Sequence, residues 1–151
     1  MTYKPILLNY ILAALMVSTA IIYFIVASQE YSDLLEFLEV GIQGETQEKQ
    51  VEITLFVGAG IVYLGLLTWI LLLLKMRLKS TIPYIAVAAV SVVLIATYIA
   101  SRTIGVPIVG VEYYVGRLDI VNKVLQMIII GISVYLIFTI RKTMIKERIR
   151  R

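Results

Sequence analysis

Ile53–Leu74 reads ITLFVGAGIVYLGLLTWILLLL, 22 residues without a charge, and Lys75-Met76-Arg77-Leu78-Lys79 follows it directly. A helix needs roughly 20 apolar residues to cross about 30 Å of hydrocarbon, since each residue rises about 1.5 Å. The stretch is therefore long enough to span a bilayer, and the basic cluster behind it marks an end that stays in water. The pattern recurs on both sides. Ile6–Ala27 is another uncharged run of 22, Ile82–Ile99 a run of 18, and Val124–Ile140 a run of 17 that becomes 21 if begun at Ile120. Backbone groups in hydrocarbon must be hydrogen-bonded within the segment, so each run is expected to be a helix. The short alternating segments of a transmembrane barrel are not seen.

Composition agrees. Of the 151 residues, 60% are hydrophobic and only 16% charged, and the mean hydropathy is +0.93. Soluble domains are nearer 45–50% apolar and about 25% charged. The expected fold is all-α: an integral membrane four-helix bundle, one domain over residues 1–151, with spans at about 6–27, 53–74, 82–99 and 120–140. The first run exceeds the roughly 7–15 apolar residues of a signal peptide, so it is read as a retained span.

The basic residues set the expected orientation. Lys4, Lys75, Arg77, Lys79, Arg141, Lys142, Lys146, Arg148, Arg150 and Arg151 fall on one side, against Lys49, Arg102, Arg117 and Lys123 on the other. Cytoplasmic flanks carry the excess of Lys and Arg, so both termini are expected inside the cytoplasmic membrane of a multi-pass protein. Tyr10, Trp69 and Tyr84 are then placed near the inner interface, and Tyr23 and Tyr98 near the outer one, as aromatic anchors.

Several chemistries are excluded. The chain has no Cys and no His, so it has no disulfide, no thiol nucleophile, no imidazole acid–base catalyst and none of the preferred ligands of zinc, copper or haem. Its five methionines are scattered. No cofactor and no metal centre is expected. Tail residues 141–151, RKTMIKERIRR, read as a basic cytoplasmic segment touching anionic headgroups, worth about 1 kcal/mol per basic residue near the surface. Nucleic-acid binding would need a fold or an aromatic platform that is lacking, so no nucleic-acid partner is expected.

The connections differ in kind. Lys75–Thr81 is very short, so spans two and three are expected to form a tight hairpin, with Ser80 or Thr81 capping and Pro83 in the first turn. Outer loop 28–52 holds seven carboxylates and one lysine. Within it Tyr31, Leu34, Leu35 and Leu38 recur at helical spacing among Glu30, Asp33, Glu36 and Glu39, which predicts an amphipathic helix stopped at Gly41. That helix either rests on the rim of its own bundle or docks an extracytoplasmic partner. Glu45, Glu48 and Glu52 lack the spacing of a calcium loop. Outer loop 100–119 is Gly-rich and apolar, with a turn at Gly105 and Pro107, and Arg102 is a candidate to pair with Glu112 or Asp119. Gly58 and Gly65 are one heptad apart, as fits either packing within the chain or contact with another subunit.

Span four opens with Asp119, Asn122, Lys123 and Gln126 at i, i+3, i+4 and i+7, one polar stripe descending from the outer surface. Asp119 and Lys123 stand in the favourable acid-first i, i+4 order. Polar residues at membrane depth face a bundle interior, a cavity or a partner. The bland alternative is a snorkelling Lys beside an acid at a helix N-terminus.

Ser101-Arg102-Thr103, Gly105 and Pro107, followed by Val115-Gly116 and Asp119, resemble a pattern in small polytopic membrane proteins of archaea and actinobacteria, over residues 101–119 only. The chain as a whole resembles accessory subunits of the copper membrane monooxygenase of ammonia-oxidising archaea. That resemblance implies a non-catalytic subunit. Absent catalytic chemistry and abundant apolar surface point the same way, to an accessory or scaffolding subunit with other membrane proteins as hetero-oligomeric partners. The competing expectation is a small homo-oligomeric channel or transporter, with the span-four stripe lining its vestibule.

Overall fold

The computed structural model describes residues 3–40, 43–105 and 116–149. They form four helices: α1 (Tyr3–Val40), α2 (Gln43–Lys75), α3 (Ile82–Thr103) and α4 (Arg117–Ile149). All four are long and apolar enough to cross a membrane. Consecutive helices run antiparallel, as paired residues show: Glu30 meets Lys49 and Tyr23 meets Phe56 across α1–α2, and Arg102 meets Asp119 across α3–α4. The helices close a ring in chain order, α1 beside α2 and α4, and α3 beside α2 and α4, with no close approach of backbones across the diagonals.

The core follows from spacing. Leu12, Met16 and Ala20 of α1, and Ala59, Tyr63, Leu67 and Ile70 of α2, are buried at intervals of three and four residues. Such intervals keep side chains on one helical face. Ile129 and Leu136 of α4 and Val87 of α3 complete the core. The outward faces carry exposed Ile, Leu, Val and Phe, as a lipid-facing surface requires. Exposed hydroxyls are hidden in their own helices: Ser18, Thr54, Thr68 and Thr97 each donate to the carbonyl four residues back, at 2.8–3.0 Å. No water is available in hydrocarbon to take that bond.

Three expectations are revised. Residues 28–40 and 43–52 are not loop but helix, so the expected separate amphipathic helix is the last turns of α1, and Gly41 lies outside the described residues. Nothing in the backbone breaks the helix between the apolar run and its acidic extension, since residues 20–35 contain neither Gly nor Pro. The connection of α2 to α3 is short, as expected of a hairpin, but the two helices do not pack tightly. α1 and α2 pack most intimately, and α2–α3 is the thinnest of the four seams. Gly60 lies at the tight seam, where a Cβ would stand 2.7 Å from the Phe24 ring. Gly58 and Gly65, by contrast, would meet no side chain or neighbouring helix within 4 Å of an added Cβ, so no close helix approach within the chain requires them. Finally, α4 starts at Arg117 and ends at Ile149, so it includes the polar stripe at one end and most of the basic tail at the other.

Local backbone geometry stops α2 and α3. At the end of α2, Arg77 donates to Leu74 O (3.2 Å) and Leu78 to Leu73 O (3.0 Å), with Arg77 at φ 55°. That pair of bonds around a left-handed residue usually employs Gly. Thr81 precedes α3 and Pro83 sits in its first turn; Ser80 Oγ accepts from Ile82 N at 3.3 Å. α3 ends where Gly105, at φ 80°, returns its N–H to Ala100 O at 3.0 Å. Thr103 Oγ1 bonds Ile99 O at 2.9 Å, as expected for a hydroxyl near a helix end. A left-handed non-glycine residue costs about 1–2 kcal/mol. The exposed Arg77→Gly change is therefore expected to raise stability by about 0.5–1 kcal/mol, read as a higher unfolding midpoint in detergent. A lower midpoint would mean that the Arg77 side chain makes a contact outweighing the backbone gain.

Candidate functional site

A polar cluster occupies the far end of the bundle, the end away from the two chain termini. It begins with α4. Gly116 O accepts the first helical bond, from Ile120 N at 3.3 Å, and Asp119 Oδ2 accepts from Gly116 N at 3.2 Å. An acid three residues into a helix that bonds back to the cap is half of a capping box. The same Oδ2 pairs with Arg102 at 3.3 Å, tying the end of α3 to the start of α4. Asp119 is thus committed to a cap and to Arg102, and no ion pair forms between it and Lys123 despite their spacing.

Lys123 turns inward instead. Its ammonium lies 4.8 Å from the Tyr98 ring centroid and 5.7 Å from that of Tyr23. It donates to Gln126 Oε1 at 3.3 Å and to the Tyr23 hydroxyl at 3.5 Å. Both contacts are longer than a good N–H···O bond. Arg102 lies 5.0 Å from the centroid of the same Tyr98 ring, so two cations approach one aromatic ring. Gln126, fully buried, donates to the Tyr23 hydroxyl at 2.7 Å. Tyr23 stacks on Phe56 and Tyr63 of α2 at 6.1 and 6.3 Å. One tyrosine therefore touches groups on α2 and α4, and through Lys123 the cluster reaches Tyr98 of α3.

Polar groups continue inward from this cluster. Ser91 Oγ gives its proton to Val87 O at 2.9 Å, so the Tyr63 hydroxyl must donate in the 2.7 Å bond between them. Near the opposite end the Tyr84 hydroxyl donates to Asn9 Oδ1 at 2.7 Å, joining α3 to α1 across the ring. Thr19 Oγ1, Ser133 Oγ and Asn122 Oδ1 are buried without a hydrogen-bond partner. Between the midplane hydroxyls and the Asn9–Tyr84 pair lie apolar Leu12, Ile70, Val87 and Leu136. Among the described residues, the polar interior therefore does not reach through to the end that holds Asn9 and Tyr84.

A second feature is the extension of α1 and α2. Glu30 pairs with Lys49, which also reaches Glu52 at 3.2 Å. This clamp holds the last turns of α1 against the first turns of α2. Of the apolar stripe, only Leu34 is buried, at 7%; Tyr31, Leu35 and Leu38 are 53%, 45% and 54% exposed. Asp33, Glu36 and Glu39 are exposed beside them. Three of the four stripe side chains are thus left exposed, and only Leu34 packs inward.

The structure brings Arg102, Asp119, Asn122, Lys123 and Gln126 together, and it sets Tyr31, Leu34, Leu35 and Leu38 apart on the extension. Glu112 lies outside the described residues. Sequence reasoning missed Tyr23, Tyr98, the Tyr63–Ser91 pair and the Asn9–Tyr84 pair. Tyr23 and Tyr84, expected as interfacial anchors, are buried in the interior, whereas Tyr10 and Trp69 do face outward. A signal was present: Asn9, Leu12, Met16, Thr19 and Tyr23 recur at three and four residues, so the polar members share the face of the core members.

No family model, no curated protein and no solved structure matches the chain.

The Tyr23–Gln126 bond is open to measurement. Tyr23→Phe or Gln126→Leu alone removes the 2.7 Å bond and leaves its buried partner with only longer contacts, and each is expected to cost about 1 kcal/mol. The double variant is expected to cost less than the sum of the two, in a double-mutant cycle of unfolding free energies. Strict additivity would mean that the two groups do not act as a pair.

Proposed function

We propose that the chain is a non-catalytic accessory or scaffolding subunit of a larger membrane protein complex. The observation that carries this reading is the exposed stripe Tyr31, Leu35 and Leu38 on a helix that outlasts the bilayer. α1 has 38 residues, about 57 Å at the helical rise, against roughly 30 Å of hydrocarbon. If Ile6–Ala27 crosses the membrane, the turns from Ser28 onward stand in water, where three neighbouring apolar side chains are costly to leave uncovered. The exposed acids beside them suit a partner with an apolar groove and a basic rim. The outward Gly58 and Gly65 support a second contact within the bilayer, since small residues let helices approach closely.

In this reading the protein sits multi-pass in the cytoplasmic membrane with both termini inside, as the Lys and Arg asymmetry favours. The acidic extension is extracytoplasmic. The basic end of α4 lies in the cytoplasm, near anionic headgroups. The resemblance to subunits of the archaeal ammonia monooxygenase names one complex in which such a chain would be seated. Catalysis would belong to other chains, because among the described residues no set of Asp, Glu, Lys and Tyr converges around an accessible reaction centre.

A homo-oligomeric channel or transporter is the second reading, favoured by the buried unpaired atoms of Asn122, Thr19 and Ser133. It is the weaker one. Asn122 and Gln126 face this chain's own interior, and the apolar layer of Leu12, Ile70, Val87 and Leu136 blocks the inner half.

Extraction of native membranes in mild detergent, then native-gel separation with mass-spectrometric identification, tests the first reading. The wild-type chain is expected to migrate with a large hetero-oligomer, and Leu35→Glu with Leu38→Glu to release it while the bundle stays folded. Migration alone, or unchanged co-migration of the variant, counts against docking through this stripe. In liposomes, solute flux lost in Asp119→Ala and Lys123→Ala would favour the channel instead; the subunit reading expects no flux in any of the three.

A further inference from the structure

The seam between α3 and α4 carries a groove of about 310 Å³, lined by Val92, Ile95 and Ala96 of α3 and Met127 and Ile130 of α4. Its lining is apolar throughout, and Val92 and Met127 stand exposed at its rim. It therefore opens sideways, onto the surface that faces lipid. Its upper end is not apolar. Lys123 lies four residues from Met127 and seven from Ile130, and Arg102 lies seven from Ile95. Those intervals put both cations on the flanks that line the groove, one to two turns nearer the far end of the bundle.

The two cations are not equally compensated. Arg102 pairs with Asp119 at 3.3 Å. Lys123 forms no ion pair among the described residues. Its two hydrogen bonds go to neutral oxygens at 3.3 and 3.5 Å, two aromatic rings lie near it, and the charges of Asp119 and Arg102 act on it from beyond ion-pair distance with opposite sign. An ammonium has three protons to donate. A cation at the edge of the hydrocarbon region is normally paired, because its desolvation is costly otherwise. The side chain is only partly buried, so an acceptor arriving along the seam can reach it.

We propose that this seam binds one anionic phospholipid. An acyl chain lies in the groove of Val92, Ile95, Ala96, Met127 and Ile130, and a phosphate oxygen of the headgroup accepts from the Lys123 ammonium. The apolar groove supplies a surface that any acyl chain fills; the unpaired charge supplies the preference for a net-negative headgroup. This site is separate from the basic end of α4, which lies at the opposite end of the bundle.

Delipidated full-length chain, titrated with palmitoyl-oleoyl phosphatidylglycerol or phosphatidylcholine and read by native mass spectrometry, tests the site. One phosphatidylglycerol per chain is expected, held about tenfold more tightly than phosphatidylcholine, the scale of one charge-assisted hydrogen bond. Lys123→Gln should equalise the two lipids. Ala96→Leu fills the groove from an exposed position without touching Lys123, and should weaken both. Lys142→Gln with Lys146→Gln, at the other end, should leave the preference intact. The lipid-induced rise in unfolding temperature, followed for each variant, confirms that it is folded. Equal binding of the two lipids by the wild type overturns the proposal. So does a preference that survives Lys123→Gln, or one that disappears with the α4 tail changes. Full competition by glycerol 3-phosphate would also overturn it, by showing a phosphate site that takes no chain.

Discussion

A phenol oxygen in hydrocarbon has no water to bond, and the packing of the far half of this bundle is organised around answering that need at Tyr23. Gln126 donates to it, Lys123 approaches it, and its ring stacks on Phe56 and Tyr63. Helices in lipid gain little from burying apolar side chains against each other, since lipid tails are as apolar as leucine. Close packing and a few interhelical hydrogen bonds must fix the register instead. Tyr23–Gln126, Tyr63–Ser91 and Asn9–Tyr84 do so at three depths, and they join α1 to α4, α2 to α3 and α1 to α3. Sliding any helix by one turn would break one of these bonds inside a medium that offers no replacement.

The charged groups obey the same constraint at the ends of the spans. Lys49 is held by Glu30 and Glu52, and Arg102 by Asp119. Exposed ion pairs contribute little in water. These are largely covered, so their worth lies in geometry: each joins the end of one helix to the start of the next. The basic residues of α4 beyond Ile140 have no such role, being exposed along a helix that simply continues out of the bundle.

Fold class was legible from run length alone, because a bilayer imposes one length on every span. What failed was the inference that charge means loop. Glu30, Glu36 and Glu39 are good helix formers, and a helix already nucleated through Ala27 continues through them at little cost. The polar stripe of span four was legible as a stripe, from its spacing. Its pairing was not. The i, i+4 rule made Asp119 and Lys123 partners, yet the cap at Gly116 and the guanidinium of Arg102 took the carboxylate first. That competition depends on where α3 ends in space. Tyr23 was misread for a related reason. Tyrosine near the edge of a span fits an interfacial anchor and an interior donor equally well, and only the orientation of the face decides. Tyr31, Leu35 and Leu38 show the converse limit: periodicity identified the stripe but could not say that its own bundle would leave it uncovered.

The placement of the polar stripe bears on how the protein is made. Asn122, Lys123 and Gln126 make the first turns of α4 expensive to move into a bilayer unaccompanied, a lysine at a span centre costing about 2.5–3.5 kcal/mol on insertion scales. Their acceptors and ring partners, Tyr23 and Tyr98, belong to α1 and α3, which leave the ribosome earlier. Chain order therefore delivers the least hydrophobic span last, when the groups that shelter it are already in the membrane. In a membrane, the fourth helix would thus meet a prepared site rather than bare lipid.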